Sequence, residues 1–196
     1  MKDVSIEPIA GAALDAAAED LARLRIAVFA EYPYLYEGSD AYEREYLQEF
    51  VAEPGSVLIA AREGARIVGM ASASPMAGQK TGFRSPVEAA GYPASEVFYF
   101  GESVLLPEYR GRGIGHAFFD AREAAARAAG ARFACFCAVV RPEDHPARPA
   151  DHRPLDAFWR ARGYSPMPGV TTQLRWAEHG DAAEVPHRMQ FWMGGL

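Results

Sequence analysis

The chain has 196 residues, 49% of them apolar and 12% aromatic, with a formal net charge of −6. That length fits a single domain over residues 1–196, able to bury roughly 70% of its unfolded surface without disulfide or metal staples. A charged fraction of 23% excludes a disordered chain, and the acidic balance argues against a nucleic-acid partner, since such proteins carry a basic footprint.

The segment Met1 to Pro8 lacks the hydrophobic run of a signal peptide, and no apolar stretch reaches the ~18 residues of a membrane span. A cytoplasmic protein without membrane contact is expected. Cys135 and Cys137 share one face of an apolar run. They read as buried thiols in a reducing compartment, and no matched pair of further ligands suggests a metal.

A helix is expected from Leu14 to about Ala30, with Leu21, Leu24 and Val28 on its stripe and Arg25 and Glu31 off it. A break with Tyr32, Tyr34 and Tyr36 follows. The second helix opens on Asp40 and Glu43 as a capping box and ends at Pro54-Gly55; Tyr42, Tyr46, Leu47, Phe50 and Val51 form its apolar stripe. From Glu31 to Glu53 there are seven acids and one base, Arg44, as on a solvated helix face. The same charge would attract a cationic acceptor.

Val57–Ala61 and Arg66–Ala71 read as a hairpin across Glu63-Gly64. Residues 75–95 hold one short helix near Val87–Ala90. A buried strand runs from Val97 to about Leu106, a long helix from Ile114 to Ala129, and another buried strand from Arg132 to Val140. After a polar loop, Pro154 opens a helix to Arg162. Strands are expected at Thr171–Trp176 and Arg188–Met193. The order predicts an α/β protein, a mixed sheet with helices on both faces. The apolar Met189–Met193 strand could pair across a homodimer as an exposed edge.

The chemistry concentrates after the Val97 strand, in Glu102-Ser103-Val104-Leu105-Leu106-Pro107-Glu108-Tyr109-Arg110-Gly111-Arg112-Gly113-Ile114-Gly115-His116. Pro107 stops the ladder, and alternate glycines lead straight into a helix. Convergent backbone N–H groups and the positive helix end suit a phosphate or pyrophosphate. Arg110 and Arg112 add charge. The Walker pattern is absent, and the dinucleotide pattern fails because His116 stands where its third glycine belongs.

Arg110-Gly111-Arg112-Gly113-Ile114-Gly115 resembles the [RQ]-x-x-G-x-[GA] loop of the GCN5-related N-acetyltransferases. Leu105-Leu106-Pro107 is similar to that family's V-x-P, and Leu155-Asp156-Ala157-Phe158-Trp159-Arg160-Ala161-Arg162-Gly163-Tyr164 to its later A-x-x-x-Y-x-x-x-G-[FY] helix. The likeness covers about residues 4 to 176 and suggests a bacterial branch. It implies the acyl-CoA N-acyltransferase fold, a mostly antiparallel sheet splayed between strands 4 and 5. It also implies acetyl-CoA as co-substrate, with Val104, Leu105, Leu106, Arg110, Gly111, Arg112, Gly113, Ile114, Gly115, His116, Phe158 and Trp159 around it. Trp159 stands where the family often has its proton-donating tyrosine, and an indole N–H is no acid. His152 stands in place of the asparagine often found before that helix.

Glu102 alternates with Phe98, Phe100 and Val104, so it points from an apolar face. Partial burial would raise its pKa toward that of a useful base, and the family often places such a glutamate there. Capping local N–H groups is the structural alternative. The resemblance sets Tyr32, Tyr34 and Tyr36 on the acceptor wall, against ordinary loop packing. It brings His145 and His152 near the thiol, where either could shuttle a proton. The resemblance implies acetyl transfer to a primary amine of a small molecule or peptide. The alternatives are another acyl-CoA, a hydroxyl acceptor, a non-catalytic acyl-CoA sensor, or a nucleotide-binding regulator.

Overall fold

The computed structural model describes residues 3–196, the side chain of Val51 excepted. Seven strands form one sheet: β1 (Val4–Ile9), β2 (Val57–Glu63), β3 (Arg66–Pro75), β4 (Val97–Leu105), β5 (Phe133–Val139), β6 (Ser165–Trp176) and β7 (Val185–Gly195). Their spatial order is β1-β2-β3-β4-β5-β7-β6. Only β4 and β5 run parallel; the other neighbours are antiparallel.

Helices α1 (Ala12–Phe29), α2 (Asp40–Ala52) and α3 (Thr81–Ala89) cover one face. There Leu21, Leu24 and Leu47 pack with Leu58, Ala60, Met70 and Val104, while Val87 packs with Tyr99, Cys135 and Phe191. Helices α4 (Ile114–Ala128) and α5 (Asp156–Ala161) cover the other. Phe118 packs there on Ile59, Ala61 and Val68, and Phe119 on Phe98, Phe100, Phe136 and Tyr164. The inner strands β2, β3, β5 and β7 bury alternate side chains toward opposite layers, as the period of two demands. Among the described residues no helix is long and apolar enough to cross a membrane.

Several expectations are corrected. The N-terminal strand β1 was not expected; Val4 and Ile6 alternate, but Pro8 interrupts a run that only an edge position tolerates. Ser39, rather than Asp40 and Glu43, caps α2, its Oγ accepting from the Tyr42 N–H at 3.4 Å. Tyr42 is exposed rather than on the buried stripe. Helix α3 begins at Thr81, six residues before the expected Val87, and α5 begins at Asp156, with Pro154 outside it. Strand β7 is no edge: it lies between β5 and β6, so Met189–Met193 cannot pair across a dimer. Both cysteines are buried free thiols on the α1–α3 face.

Candidate functional site

The site begins where β4 and β5 part. They pair only through Val97–Tyr99 opposite Phe133–Cys135. Beyond that point β4 keeps β3 on one side, and its other edge, from Phe100 to Leu105, has no strand partner among the described residues.

A bulge sits on the same stretch. Ala71 is opposite Ser103 and Ala73 opposite Phe100, so β4 carries one residue more than β3 across Gly101-Glu102. The Ser72 hydroxyl accepts the Glu102 N–H at 3.1 Å, and a Cβ on Gly101 would stand 2.7 Å from that oxygen. An extra residue reverses the facing of everything after it. Phe98 and Phe100 therefore pack toward α4, whereas Val104 packs with α1 and α2. The simple alternation expected for Glu102 with Phe98 and Phe100 is broken.

Glu102 meets α1 and α2 instead of a bare apolar wall. The Arg25 Nη1 contacts its Oε2, and the Arg25 Nε donates to Glu43 Oε2. The guanidinium lies over the Tyr46 ring at 4.1 Å and near Phe29 at 5.2 Å. Arg25, expected off its helix stripe, is thus buried, and so is Glu43, expected on a solvated face. Glu43 precedes Tyr46, Leu47 and Phe50 by three, four and seven positions, the spacing of one helix face, and that spacing was the available signal.

The glycine loop lies at the other end of this edge. Gly111 and Gly113 adopt φ of +73° and +81°, and nothing lies within 4 Å of where their Cβ atoms would be. Gly113 is the left-handed residue opening α4, and no side chain caps the first N–H groups of that helix among the described residues. Arg110 is engaged: its Nη2 donates to Glu31 at 2.8 Å and its Nε to the Leu105 carbonyl at 3.2 Å. Arg112 lies 4.8 Å from the Tyr109 ring and makes no ion pair among the described residues. Phe158 reaches the same helix end, 4.9 Å from the His116 ring. Trp159 turns the other way and packs on Phe136 and Trp192, each at 5.0 Å.

The remaining candidates meet across the sheet end. The Tyr32 ring lies 5.6 Å from His145 and 4.7 Å from His152. Burial, reinforced by Arg148, lowers the His152 pKa below its ordinary value. Tyr34 and Tyr36 are held more tightly. The Trp176 indole donates to the Tyr34 carbonyl at 2.9 Å, and Arg141 donates to the Pro33 and Tyr34 carbonyls at 2.7 and 3.1 Å. Arg141 also pairs with Glu178 at 2.6 Å, and Tyr36 bridges Glu178 as a short antiparallel contact. These partners lie more than a hundred residues from the tyrosines in sequence, so no local pattern announced them. Among the described residues no group of three or more His, Cys, Asp or Glu side chains could hold a metal.

Residues 17–153 match the family model for the acetyltransferase (GNAT) family. No functionally curated protein matches the chain. Solved structures share the whole architecture. A ribosomal-protein-alanine N-acetyltransferase from Brucella melitensis is 15% identical, with 98% of this chain and 99% of that chain covered and a TM-score of 0.63. An acetyltransferase from Thermus thermophilus is 16% identical, with full coverage of both chains and a TM-score of 0.61. A Salmonella typhimurium protein assigned as an acetyltransferase, solved with its cofactor acetyl-CoA, is 12% identical, with 99% and 94% covered and a TM-score of 0.62.

Proposed function

From the premise that the chain belongs to the acetyltransferase (GNAT) family, we propose that it moves an acetyl group from acetyl-CoA directly to a primary amine. The observation that carries this reading is the pair of left-handed glycines at the head of α4, beside an edge of β4 that has no strand partner among the described residues. Such a helix start binds phosphate through convergent N–H groups and its dipole. The residues fit the cofactor: the Gly111–Gly115 backbone would hold the pyrophosphate, with Phe158 and His116 alongside. The outer edge of β4, which has no strand partner among the described residues and whose Leu105 carbonyl is taken by Arg110, would take the pantetheine arm up to Val104. Acetyl-CoA supplies the activated acetyl thioester.

The protein's own part is to hold the amine and move its protons. An ammonium must lose a proton before its nitrogen can attack. Glu102, on the bulge between the loop and the tyrosine-rich wall, is the proposed base, acting directly or through water. Tyr32, Tyr34 and Tyr36 wall the acceptor side. No covalent enzyme intermediate is required, because orientation of two bound reactants supplies much of the acceleration. The leaving sulfur needs a proton, and Trp159 cannot give one. Tyr32, His145 and His152, gathered within ring contact, are the groups that could.

The test is to incubate the protein with acetyl-CoA and a panel of primary amines and count released thiol. Glu102→Gln should lower kcat by on the order of 10²–10⁴-fold, with acetyl-CoA affinity nearly unchanged. Its pH–rate profile should lose the acidic limb. A mutant that keeps its rate and its limb returns Glu102 to a structural role. A sensor is the second reading, favoured by the half-buried Trp159, packed against Phe136 and Trp192 at the usual tyrosine position. Tight CoA binding with no thiol release from any amine would support it.

A further inference from the structure

We propose that Arg25 is a positioning residue for Glu102, held in place by Glu43, and that the three side chains together set the acidic limb of acetyl transfer. The inference rests on the reading of Glu102 as the base.

The geometry is a shared cation. One guanidinium edge serves each carboxylate, Nε to Glu43 and Nη1 to Glu102. The side chains of Arg25, Glu43 and Glu102 are 7%, 0% and 8% exposed, so little water screens them. The rings of Tyr46 and Phe29 fix the guanidinium plane. Glu102 is left with one oxygen, Oε1, that is buried and has no donor among the described residues. Its other oxygen is held by Arg25, so Oε1 is the atom free to accept a proton. Two carboxylates facing one cation leave a formal charge of −1 in a nearly dry place, the arrangement that attracts a protonated amine.

The other groups around Glu102 do not supply that balance. From α4, Arg122 Nη1 donates to the Glu102 main-chain carbonyl at 3.2 Å, while its guanidinium lies over Phe100 and Phe119. From β3 comes only the neutral Ser72 hydroxyl. Tyr46 on α2, and Tyr36 near Glu43, are phenols whose pKa values burial raises, so they stay neutral. The charge on Glu102 is thus governed by how much of Arg25 it shares with Glu43.

That sharing has a sign. Removing the Glu43 charge gives Glu102 the whole cation and favours its carboxylate. Removing the Arg25 charge leaves two buried carboxylates and favours protonation. Glu43→Gln should therefore move the acidic limb of the pH–rate profile down by about one pH unit. Arg25→Gln should move it up by about 1–3 units, and Arg25→Lys should restore most of the shift. CoA affinity, measured by titration calorimetry, should stay within about threefold of wild type in all three, since the glycine loop lies elsewhere. Limbs that stay in place, or that move in the same direction for Glu43→Gln and Arg25→Gln, would overturn the proposal and leave the cluster structural. If Arg25→Gln does not fold by circular dichroism, Glu43→Gln decides alone: a limb unmoved or moved upward overturns it. A carbon-13 NMR titration of the Glu102 carboxyl in wild type and Glu43→Gln reads the same shift without turnover. Failure of Glu102 as the base therefore remains distinguishable from failure of the cluster to set its charge.

Discussion

Arg110 and Arg112 are separated by one glycine and have different employment. Arg110 closes the loop onto α1 through Glu31 and onto the end of β4 through the Leu105 carbonyl. Arg112 rests on Tyr109 with no acid opposite it among the described residues. A half-exposed ion pair contributes about 0.2–1 kcal/mol, whereas a charge-assisted bond to a phosphate contributes roughly 1.5–3 kcal/mol. Arg112→Ala is expected to weaken CoA binding by about 10- to 100-fold. Arg110→Ala should lower the melting temperature slightly and change CoA affinity less than about fivefold. Calorimetric titration of both variants checks the contrast, and the reverse order would assign the phosphate to Arg110. The loop's conformation was legible because its alternate glycines lie between a strand stopped by Pro107 and a long helix, all within one local stretch of sequence. The difference between its arginines was not, because Glu31 reaches Arg110 from 79 residues away.

Elements were legible where their pattern was local. The glycines, the long apolar stripe of α4 and the buried β4 and β5 runs all matched their expected places to within a residue or two. Boundaries failed where a tertiary contact fixes them. Strand β7 shows such a contact at Gly194, where an added Cβ would stand 2.9 Å from the Tyr164 ring. Tyr164 is buried there, and its hydroxyl donates to Glu123 on α4 at 3.2 Å. Arg162 pairs with the same Glu123 at 2.9 Å, so the end of α5 is tied to α4. Gly194→Ala must displace the ring from this network. Overpacking of this kind typically costs about 1–3 kcal/mol, which chemical denaturation should register as a lower midpoint at unchanged slope. A wild-type midpoint would mean that the ring has room to move.

At the scale of the molecule, the sheet closes out of sequence order. Strand β7, the last in the chain, inserts between β5 and β6 and supplies Phe191, Trp192 and Met193 to both cores. Without it, β5 would lose its antiparallel partner and β6 its only one among the described residues. Truncation after Gly180 is expected to abolish cooperative thermal unfolding and to cause aggregation, because two apolar strand edges are left open. A truncated chain that stays monomeric by size-exclusion chromatography and melts cooperatively would refute this. The edge at this end of the sheet, β6, carries Pro166, Pro168 and an irregularity between Pro166 and Thr171, features that blunt edge pairing.

By itself the sequence determined the class of fold, the run of buried strands through its middle, and the glycine loop at the head of α4. Those depend on periodicities and on backbone conformations that only glycine adopts readily. The tertiary structure alone decided the neighbours of the charged groups. The bulge at Gly101-Glu102 turned the carboxylate toward α1 and α2, and the packing of those helices brought Arg25 and Glu43 to it. The tyrosine wall likewise took its form from Arg141, Trp176 and Glu178. Side-chain charge is ordinarily read as exposure, because burying it costs energy. Where two helices and a strand satisfy it together, the pattern in any one of them no longer reveals it.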